Sequence, residues 1–112
     1  MNDKIRIGIA GYGNLGRGVE SALAQAPDMQ LVGVFTRRKP AEVRLLDAGV
    51  PVHGMDAIAD FTTAIDVLIL CGGSKSDLPE QGPALAALFN TVDSFDTHAK
   101  VPEYFAAVDA AA

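Results

Sequence analysis

The feature that most constrains the fold is a glycine run near the N-terminus, Gly11-Tyr12-Gly13-Asn14-Leu15-Gly16. It follows the segment Ile5–Ala10, a short apolar run rich in β-branched residues, which is typical of a buried strand. Across residues 14–25, apolar side chains recur at steps of three and four, which indicates one buried face of a helix. The sequence therefore predicts a strand, a tight glycine turn and a helix in direct succession.

The three glycines stand where a turn that holds a dinucleotide needs them. Gly11 permits a sharp bend, Gly13 lets a diphosphate approach the backbone, and Gly16 lets the helix pack close to the strand. The first turn of the helix adds unpaired N–H groups and a partial positive charge, both of which favour an anion. A glycine turn with a purely structural role is the alternative, but the position between strand and helix favours a phosphate site.

The end of the second predicted strand indicates which dinucleotide the site takes. This strand, residues 31–35, is followed by Thr36, Arg37 and Arg38, where a site for NAD usually has an acidic residue. A carboxylate there would repel the 2′-phosphate of NADP, whereas a guanidinium can bind that phosphate through paired hydrogen bonds. The three residues therefore predict NADP, the alternative being that they form only a solvated basic loop.

The rest of the chain continues to alternate between predicted strands and helices. Further strands are expected at residues 50–52, 65–71 and 91–93. Further helices are expected at residues 41–49, 57–64, 78–89 and within 97–112, with Pro83 either in the first turn of its helix or at a kink. This alternation predicts an α/β fold, a Rossmann-type doubly wound parallel sheet of four or five strands with helices on both faces.

A loop of small residues, Cys71-Gly72-Gly73-Ser74, follows the strongest of these strand signals. It falls at the carboxyl edge of the sheet, where α/β folds bind ligands, and its small side chains leave room beneath a nicotinamide ribose. An ordinary turn from strand to helix is the alternative. For Cys71 itself we favour a small buried residue over a nucleophile, because the sequence places no base beside it.

Two carboxylates and a histidine follow the last predicted strand, in the run Asp93-Ser94-Phe95-Asp96-Thr97-His98. These side chains could face a ligand, because they lie on the same edge of the sheet as the glycine turn. Asp96 could equally cap the final helix by accepting its first N–H groups. His98 fits a surface or capping position better than a ligand-binding one.

Composition and charge are those of one cytosolic globular domain. Hydrophobic residues make up 49% of the 112 residues and charged residues 21%, which suffices for a packed core. The net charge of −5 argues against a broad nucleic-acid surface, which needs an excess of Lys and Arg. A single cysteine excludes an internal disulfide, and the sequence has no paired ligand spacing typical of a zinc site. No apolar run resembles a signal peptide or a membrane span. These features predict a cytoplasmic location.

Taken together, these motifs resemble the N-terminal part of the meso-diaminopimelate dehydrogenase family. The resemblance runs from Ile5 to about Glu103 and rests on the glycine run, the basic pair and shorter matches at residues 27–29, 31–35, 70–71, 79–81 and 91–98. It implies a cytoplasmic, NADP-dependent homodimer that oxidatively deaminates the D-configured centre of meso-2,6-diaminoheptanedioate, giving L-2-amino-6-oxopimelate and ammonia. The implied pathway is bacterial synthesis of lysine and cell-wall precursors.

The resemblance also implies roles for single residues. Residues 12–15, 36–38 and 71–74 match cofactor contacts of the family, while Ser94, Phe95 and Asp96 match a stretch that meets cofactor and substrate together. By this analogy Asp96 meets the reacting end of the substrate, with Asp93 as the second choice. Such a carboxylate can orient the ammonium group, or hold the water that attacks the imine after hydride transfer.

Members of this family continue for about two hundred residues beyond the matched part, on a two-domain plan. The final predicted helix also ends without a stop signal, which indicates an interrupted chain. We therefore expect residues 1–112 to form an NADP-binding domain without the substrate and dimerisation domain, able to bind NADP but inactive on diaminopimelate. The alternatives are another NADP reductase of amino-acid metabolism and a non-enzymatic domain that senses NADP(H).

Overall fold

In the computed structural model, which describes residues 4–47, 49–72, 78–93 and 101–112, five parallel strands form one sheet flanked by helices. The strands are β1 (Ile5–Ala10), β2 (Met29–Thr36), β3 (Val52–Gly54), β4 (Val67–Leu70) and β5 (Thr91–Asp93). The helices are α1 (Asn14–Ala24), α2 (Leu78–Ala86) and α3 (Val101–Ala111), with two 3₁₀ helices at Pro40–Glu42 and Met55–Phe61.

The strands lie in the order β3-β2-β1-β4-β5, and every neighbouring pair is parallel. The chain leaves β1 toward β2 on one side and later enters β4 on the other, so the direction of winding reverses between β1 and β4. In open α/β sheets, ligands bind at such a reversal, outside the carboxyl ends of the strands. The parallel Rossmann-type sheet predicted from the sequence is confirmed.

Buried side chains of β1 and β2 alternate between the two faces of the sheet. Ile9 and Val34 lie in the core cluster that α1 packs against. Their chain neighbours Ala10 and Phe35 lie in the cluster on the opposite face, which Leu78 of α2 helps to fill. Both faces of the central strands are therefore covered, which explains why the sequences of these strands are continuous apolar runs.

An ion pair joins the start of β1 to the residue before β4. Arg6 donates to the carboxylate of Asp66 from Nε at 3.1 Å, from Nη2 at 2.9 Å and from its backbone N–H at 2.8 Å. These hydrogen bonds hold the pKa of Asp66 at about 2, below its ordinary value of 3.8. The two side chains stay 44% and 43% exposed, so the pair fixes the local geometry more than it stabilises the fold.

The short helix expected at residues 41–49 is wrong. The described part of this segment holds a single 3₁₀ turn, Pro40–Glu42, and Val43 already has extended backbone angles. The N–H groups of Leu46 and Asp47, which a helix would pair with preceding carbonyl groups, donate instead to the carboxylate of Glu20 in α1, at 3.0 and 2.8 Å. Contacts with a residue 26 and 27 positions away therefore replace the local helical bonds.

The helix expected at residues 57–64 is present, as a 3₁₀ helix that runs from Met55 to Phe61 and buries Ile58 against the sheet. Other boundaries move by a few residues. The strand expected at 50–52 lies at Val52–Gly54, the strand expected at 65–71 shortens to its paired residues, and α2 ends before residue 89. Pro83 lies inside α2, beyond its first turn.

Candidate functional site

The cleft at the carboxyl ends of β1, β2 and β4 gathers most of the described residues that the sequence predicts to bind a cofactor. Its volume is about 410 Å³, which lies within the range of small-molecule sites. The predicted residues that line it are Gly11, Tyr12, Gly13, Thr36, Arg37, Arg38, Cys71 and Gly72. We call it the nucleotide cleft.

The glycines of the turn differ in what a side chain would meet. Gly11 has a φ of +93°, and a Cβ there would lie 3.1 Å from the backbone nitrogen of Gly72. A Cβ on Gly16 would lie 2.7 Å from the carbonyl oxygen of Gly11, so the close packing of α1 on the turn requires glycine. Gly13 is exposed and no atom lies within 4 Å of its Cβ position among the described residues. Space for a ligand to approach the backbone is therefore open at Gly13.

The start of α1 presents backbone donors beside this space. Gly13 is the N-cap residue, and it has no side chain with which to cap the helix. The helical hydrogen bond from the N–H of Arg17 to the carbonyl oxygen of Gly13 is 3.0 Å long, so the N–H groups of Asn14, Leu15 and Gly16 precede the helical ladder. Unused donors at the positive end of a helix suit a phosphate group. These residues fit the diphosphate of a dinucleotide.

Two arginines border the nucleotide cleft from the end of β2. The hydroxyl of buried Thr36 accepts a hydrogen bond from the backbone N–H of Arg38 at 3.0 Å, which shapes the turn after the strand. The guanidinium of Arg38 reaches back to the glycine turn, where its Nη2 donates to the carbonyl oxygen of Tyr12 at 2.6 Å. Arg37 is exposed and lines the same cleft. The predicted basic residues and the predicted glycine turn therefore meet at one site.

A buried carboxylate, which the sequence reasoning missed, supports the glycine turn from behind. The hydroxyl of Tyr12 donates to Oε1 of Glu20 at 2.5 Å, and Glu20 is 4% exposed. The same carboxylate accepts the N–H groups of Leu46 and Asp47. Burial, followed by the hydrogen bond and charge of Glu20, raises the pKa of Tyr12. A charged residue on the apolar face of α1 was the available signal.

Cys71, immediately after β4, is half-buried in the wall of the cleft. Burial raises the pKa of its thiol to about 11, so the sulfur carries a proton at neutral pH. A protonated thiol is a poor nucleophile. The structure thus supports the prediction that Cys71 is a small packing residue and not a catalytic one.

Asp93, the second choice for a catalytic residue, ends β5 and does not line the nucleotide cleft. Its carboxylate Oδ2 accepts a hydrogen bond of 2.5 Å from the hydroxyl of Tyr104 in α3. Tyr104 also packs so closely on Gly82 that a Cβ at that position would overlap its phenol. Asp93 therefore has a clear structural task, which is to hold α3 beside β5, and its catalytic role stays a prediction.

Several predicted site residues lie outside the described part of the chain. These are Gly73, Ser74, Ser94, Phe95 and Asp96. Their predicted contacts with cofactor and substrate, including the substrate contact of Asp96, stay predictions. His98 also lies outside the described residues.

Met55 and Gln81 also line the nucleotide cleft, although sequence reasoning did not select them. Met55 begins the second 3₁₀ helix, and Gln81 lies in the first turn of α2. The carbonyl oxygen Oε1 of Gln81 is buried and has no hydrogen-bond partner among the described residues. Nothing local marks a helical glutamine as a binding residue, because its significance depends on the sheet that surrounds it.

A second cleft, of about 480 Å³, lies between α1, β2 and the segment that follows the first 3₁₀ turn. It is larger, but the buried carboxylate in its wall, Glu20, is already engaged by three donors. We therefore assign the functional site to the nucleotide cleft. Within the described ranges, no cluster of three or more His, Cys, Asp or Glu is placed to hold a metal, and no helix is long and apolar enough to cross a membrane.

Comparison with known proteins confirms the resemblance. No family model matches the chain. It is 63% identical over 108 residues to the meso-diaminopimelate D-dehydrogenase of Lysinibacillus sphaericus, covering 96% of this chain and 33% of that protein. The fold matches an engineered D-amino acid dehydrogenase bound to NADP⁺ with a TM-score of 0.86, at 43% identity over 97% of this chain and 33% of that one.

The fold also matches a DAP dehydrogenase from C. glutamicum in complex with DAP, with a TM-score of 0.85 and 42% identity. That match covers 99% of this chain and 33% of the solved one. The chain thus spans about a third of the length of the relatives it matches, and the part that it spans contains the described nucleotide cleft.

Proposed function

We propose that this chain is the NADP-binding part of a meso-diaminopimelate dehydrogenase. The observation that carries the proposal is the meeting of Arg37 and Arg38 with the glycine turn in one cleft, at the end of a strand that carries no acidic residue. Similarity to enzymes of that name, and to a solved dehydrogenase bound to NADP⁺, supports it. The sequence and the geometry thus point to the same cofactor by separate arguments.

The residues divide the phosphates of the cofactor between them. The N–H groups at the start of α1 bind the diphosphate, which approaches the backbone at Gly13. Thr36, Arg37 and Arg38 bind the 2′-phosphate, because two guanidiniums offer charge-assisted hydrogen bonds and the described residues that line the cleft include no carboxylate. NAD lacks this phosphate and would be bound less tightly. The nicotinamide of the bound cofactor accepts the hydride.

The substrate chemistry concerns the longer protein of which this chain would be part. Oxidative deamination of meso-2,6-diaminoheptanedioate requires a group that orients the reacting ammonium or holds the attacking water, and we assign that task to Asp96, with Asp93 as the second choice. The rest of the substrate pocket, and the homodimer surface, would lie in the part of the relatives that this chain does not match. We place the enzyme in the cytoplasm, in lysine and cell-wall precursor synthesis.

The test is a binding titration of NADP and NAD with the wild-type chain and with Arg37→Ala and Arg38→Ala variants. Each variant should lose about 1.5–3 kcal/mol of NADP binding, roughly one to two decades in affinity. Arg37→Ala should leave NAD binding nearly unchanged, whereas Arg38→Ala also removes the bond to the glycine turn and should weaken NAD to a smaller extent than NADP. Arg44→Ala is the matched control, because Arg44 is exposed and does not line the cleft. Equal affinity of the wild-type chain for both cofactors would refute the proposed site.

A second measurement separates binding from turnover. We expect the 112-residue chain to bind NADP without oxidising diaminopimelate, because it matches only a third of its relatives. Steady NADPH formation from diaminopimelate by this chain alone would contradict the expectation that it binds NADP without turnover.

A further inference from the structure

The carboxamide of Gln81 is a polar group of the nucleotide cleft that the phosphate contacts do not use. Gln81 lines the cleft from the first turn of α2, and its Oε1 is buried without a hydrogen-bond partner among the described residues. A buried acceptor without a donor is costly, and most such groups in folded proteins find a partner. The carboxamide of Gln81 is therefore a group of the cleft wall whose acceptor lacks a partner among the described residues.

The covalent structure of NADP decides which ligand group reaches this wall. The adenine and the 2′-phosphate are attached to neighbouring carbons of the same ribose, so a phosphate held by Thr36–Arg38 keeps the base inside the same cleft. The glycine turn and the arginines are taken by phosphates in this arrangement. Met55 and Gln81 are the remaining lining residues with long side chains, and the apolar thioether of Met55 suits the face of a ring.

We propose that Gln81 is a specificity-determining residue that accepts a hydrogen bond from the exocyclic amino group of the adenine, an inference that rests on the proposed function above. Adenine offers that amino group as a donor, and a glutamine carboxamide is a common partner for the adenine edge in proteins. The last side-chain torsion of glutamine is broad, so its oxygen can turn from its buried position toward the cleft. Hypoxanthine carries an oxygen in place of this amino group and offers no donor there.

The experiment compares two ligands that lack the nicotinamide half of the cofactor. Adenosine 2′,5′-bisphosphate and inosine 2′,5′-bisphosphate share both phosphates and the ribose, and they differ only in the six-membered ring of the purine. Each is titrated against the wild-type chain, Gln81→Met and Gln81→Glu. Methionine has a similar length without the amide, and glutamate is an acceptor only. Gln25→Met, at the exposed end of α1 and outside the cleft, is the control.

The quantity measured is the ratio of the two affinities, because a charge at position 81 weakens both anionic ligands alike. The wild-type chain and Gln25→Met should prefer the adenosine ligand by about 2- to 10-fold. Gln81→Met should bind both ligands equally. Gln81→Glu should widen the preference, because a carboxylate cannot rotate to donate to the hypoxanthine oxygen.

Two results would overturn the assignment while leaving the proposed function intact. One is a Gln81→Met variant that weakens both ligands equally and keeps the wild-type ratio, which would place Gln81 against the ribose. The other is a wild-type chain that binds both ligands with the same affinity. Failure of the wild-type chain to bind either ligand would overturn both proposals. Should Gln81→Met fail to fold, the ratio measured with Gln81→Glu decides, and an unchanged ratio rejects the assignment.

Discussion

Nη2 of Arg38 lies 2.6 Å from the backbone carbonyl oxygen of Tyr12, so the second residue after β2 is tied directly to the turn that follows β1. One guanidinium therefore borders both the proposed 2′-phosphate site and the diphosphate site. Its planar group has several donors, so it can keep this bond while others face a phosphate. This bond would hold the two proposed phosphate sites in a fixed relation before a ligand binds, which would reduce the ordering cost of binding.

This geometry predicts that lysine cannot replace Arg38 in full. Arg38→Lys keeps the positive charge but has a single nitrogen in place of the planar fork, so it cannot bond Tyr12 and a phosphate with the same geometry. We expect NADP affinity to fall by about 1–2 kcal/mol, between the wild-type chain and Arg38→Ala. Calorimetric titration measures it, with Arg44→Lys as the control. A full wild-type affinity for Arg38→Lys would mean that charge alone is recognised.

Gly16 is predicted to matter for stability. An alanine Cβ there would lie 2.7 Å from the carbonyl oxygen of Gly11, a backbone atom that cannot move aside cheaply. Gly16→Ala should lower the free energy of unfolding by about 1–3 kcal/mol in denaturant titrations. Gly18→Ala is the control in the same helix, because no atom of a described residue lies within 4 Å of its Cβ position. It should be neutral or stabilising by up to about 1 kcal/mol.

Gly13 is predicted to matter for binding and not for stability. Its φ is −111°, an angle open to any residue, and its Cβ position is free of neighbours among the described residues. Gly13→Ala should therefore unfold at nearly the wild-type denaturant concentration. Its methyl group would occupy the space where the diphosphate approaches, so NADP affinity should fall about tenfold or more, or at least about 1.4 kcal/mol. Unchanged NADP affinity would move the diphosphate away from this turn.

The ion pair of Arg6 and Asp66 predicts a dependence of stability on acidic pH. The pKa of Asp66 is about 2 in the folded chain and 3.8 for the free group, so the pair contributes fully above about pH 4 and is lost as the pH falls toward 2. The difference in free energy of unfolding between the wild-type chain and Asp66→Asn should vanish over this interval. Asp60→Asn, at an exposed position, is the control. A difference that persists at pH 2 would assign the effect to packing.

The two tyrosines predict a dependence at alkaline pH. The pKa of Tyr12 and the pKa of Tyr104 are both raised above the ordinary 10.0. Burial is the largest cause, and the carboxylate partners, Glu20 for Tyr12 and Asp93 for Tyr104, are the next. The chain has no other tyrosine and no tryptophan, so tyrosinate absorbance reports on these two alone. It should appear above pH 10 in the folded chain and near pH 10 in denaturant. Because the folded chain retains the protons, its free energy of unfolding should decrease above pH 10.

The parts of the fold that could be predicted from the sequence are those that depend on patterns of residues close together in the chain. The glycine run between an apolar strand and an amphipathic helix predicted β1, the turn and α1. The basic residues after β2 line the same cleft as this turn. The strand at Thr91–Asp93 was also predicted with its observed bounds. In each case the deciding residues are neighbours in the chain, so no tertiary information is needed.

The parts that sequence could not predict depend on contacts between distant segments. Residues 43–47 lack the expected helix because Glu20 takes two of their N–H groups, and no local pattern reveals that partner. Gln81 gains its significance only because the fold brings α2 to the cleft that Arg38 and the glycine turn also line. The tie between Asp93 and Tyr104 likewise spans 11 residues and the start of α3.

The nucleotide cleft draws its walls from positions as distant as Gly11 and Gln81, and these meet only in the assembled sheet. An unfolded chain offers a nucleotide no such enclosure, so a ligand of this cleft recognises the native state alone. By mass action it would then protect the native state, by about 2.7 kcal/mol when its concentration is a hundred times its dissociation constant. The cellular pool of the cofactor would thus set how long a small domain of this kind survives proteolysis.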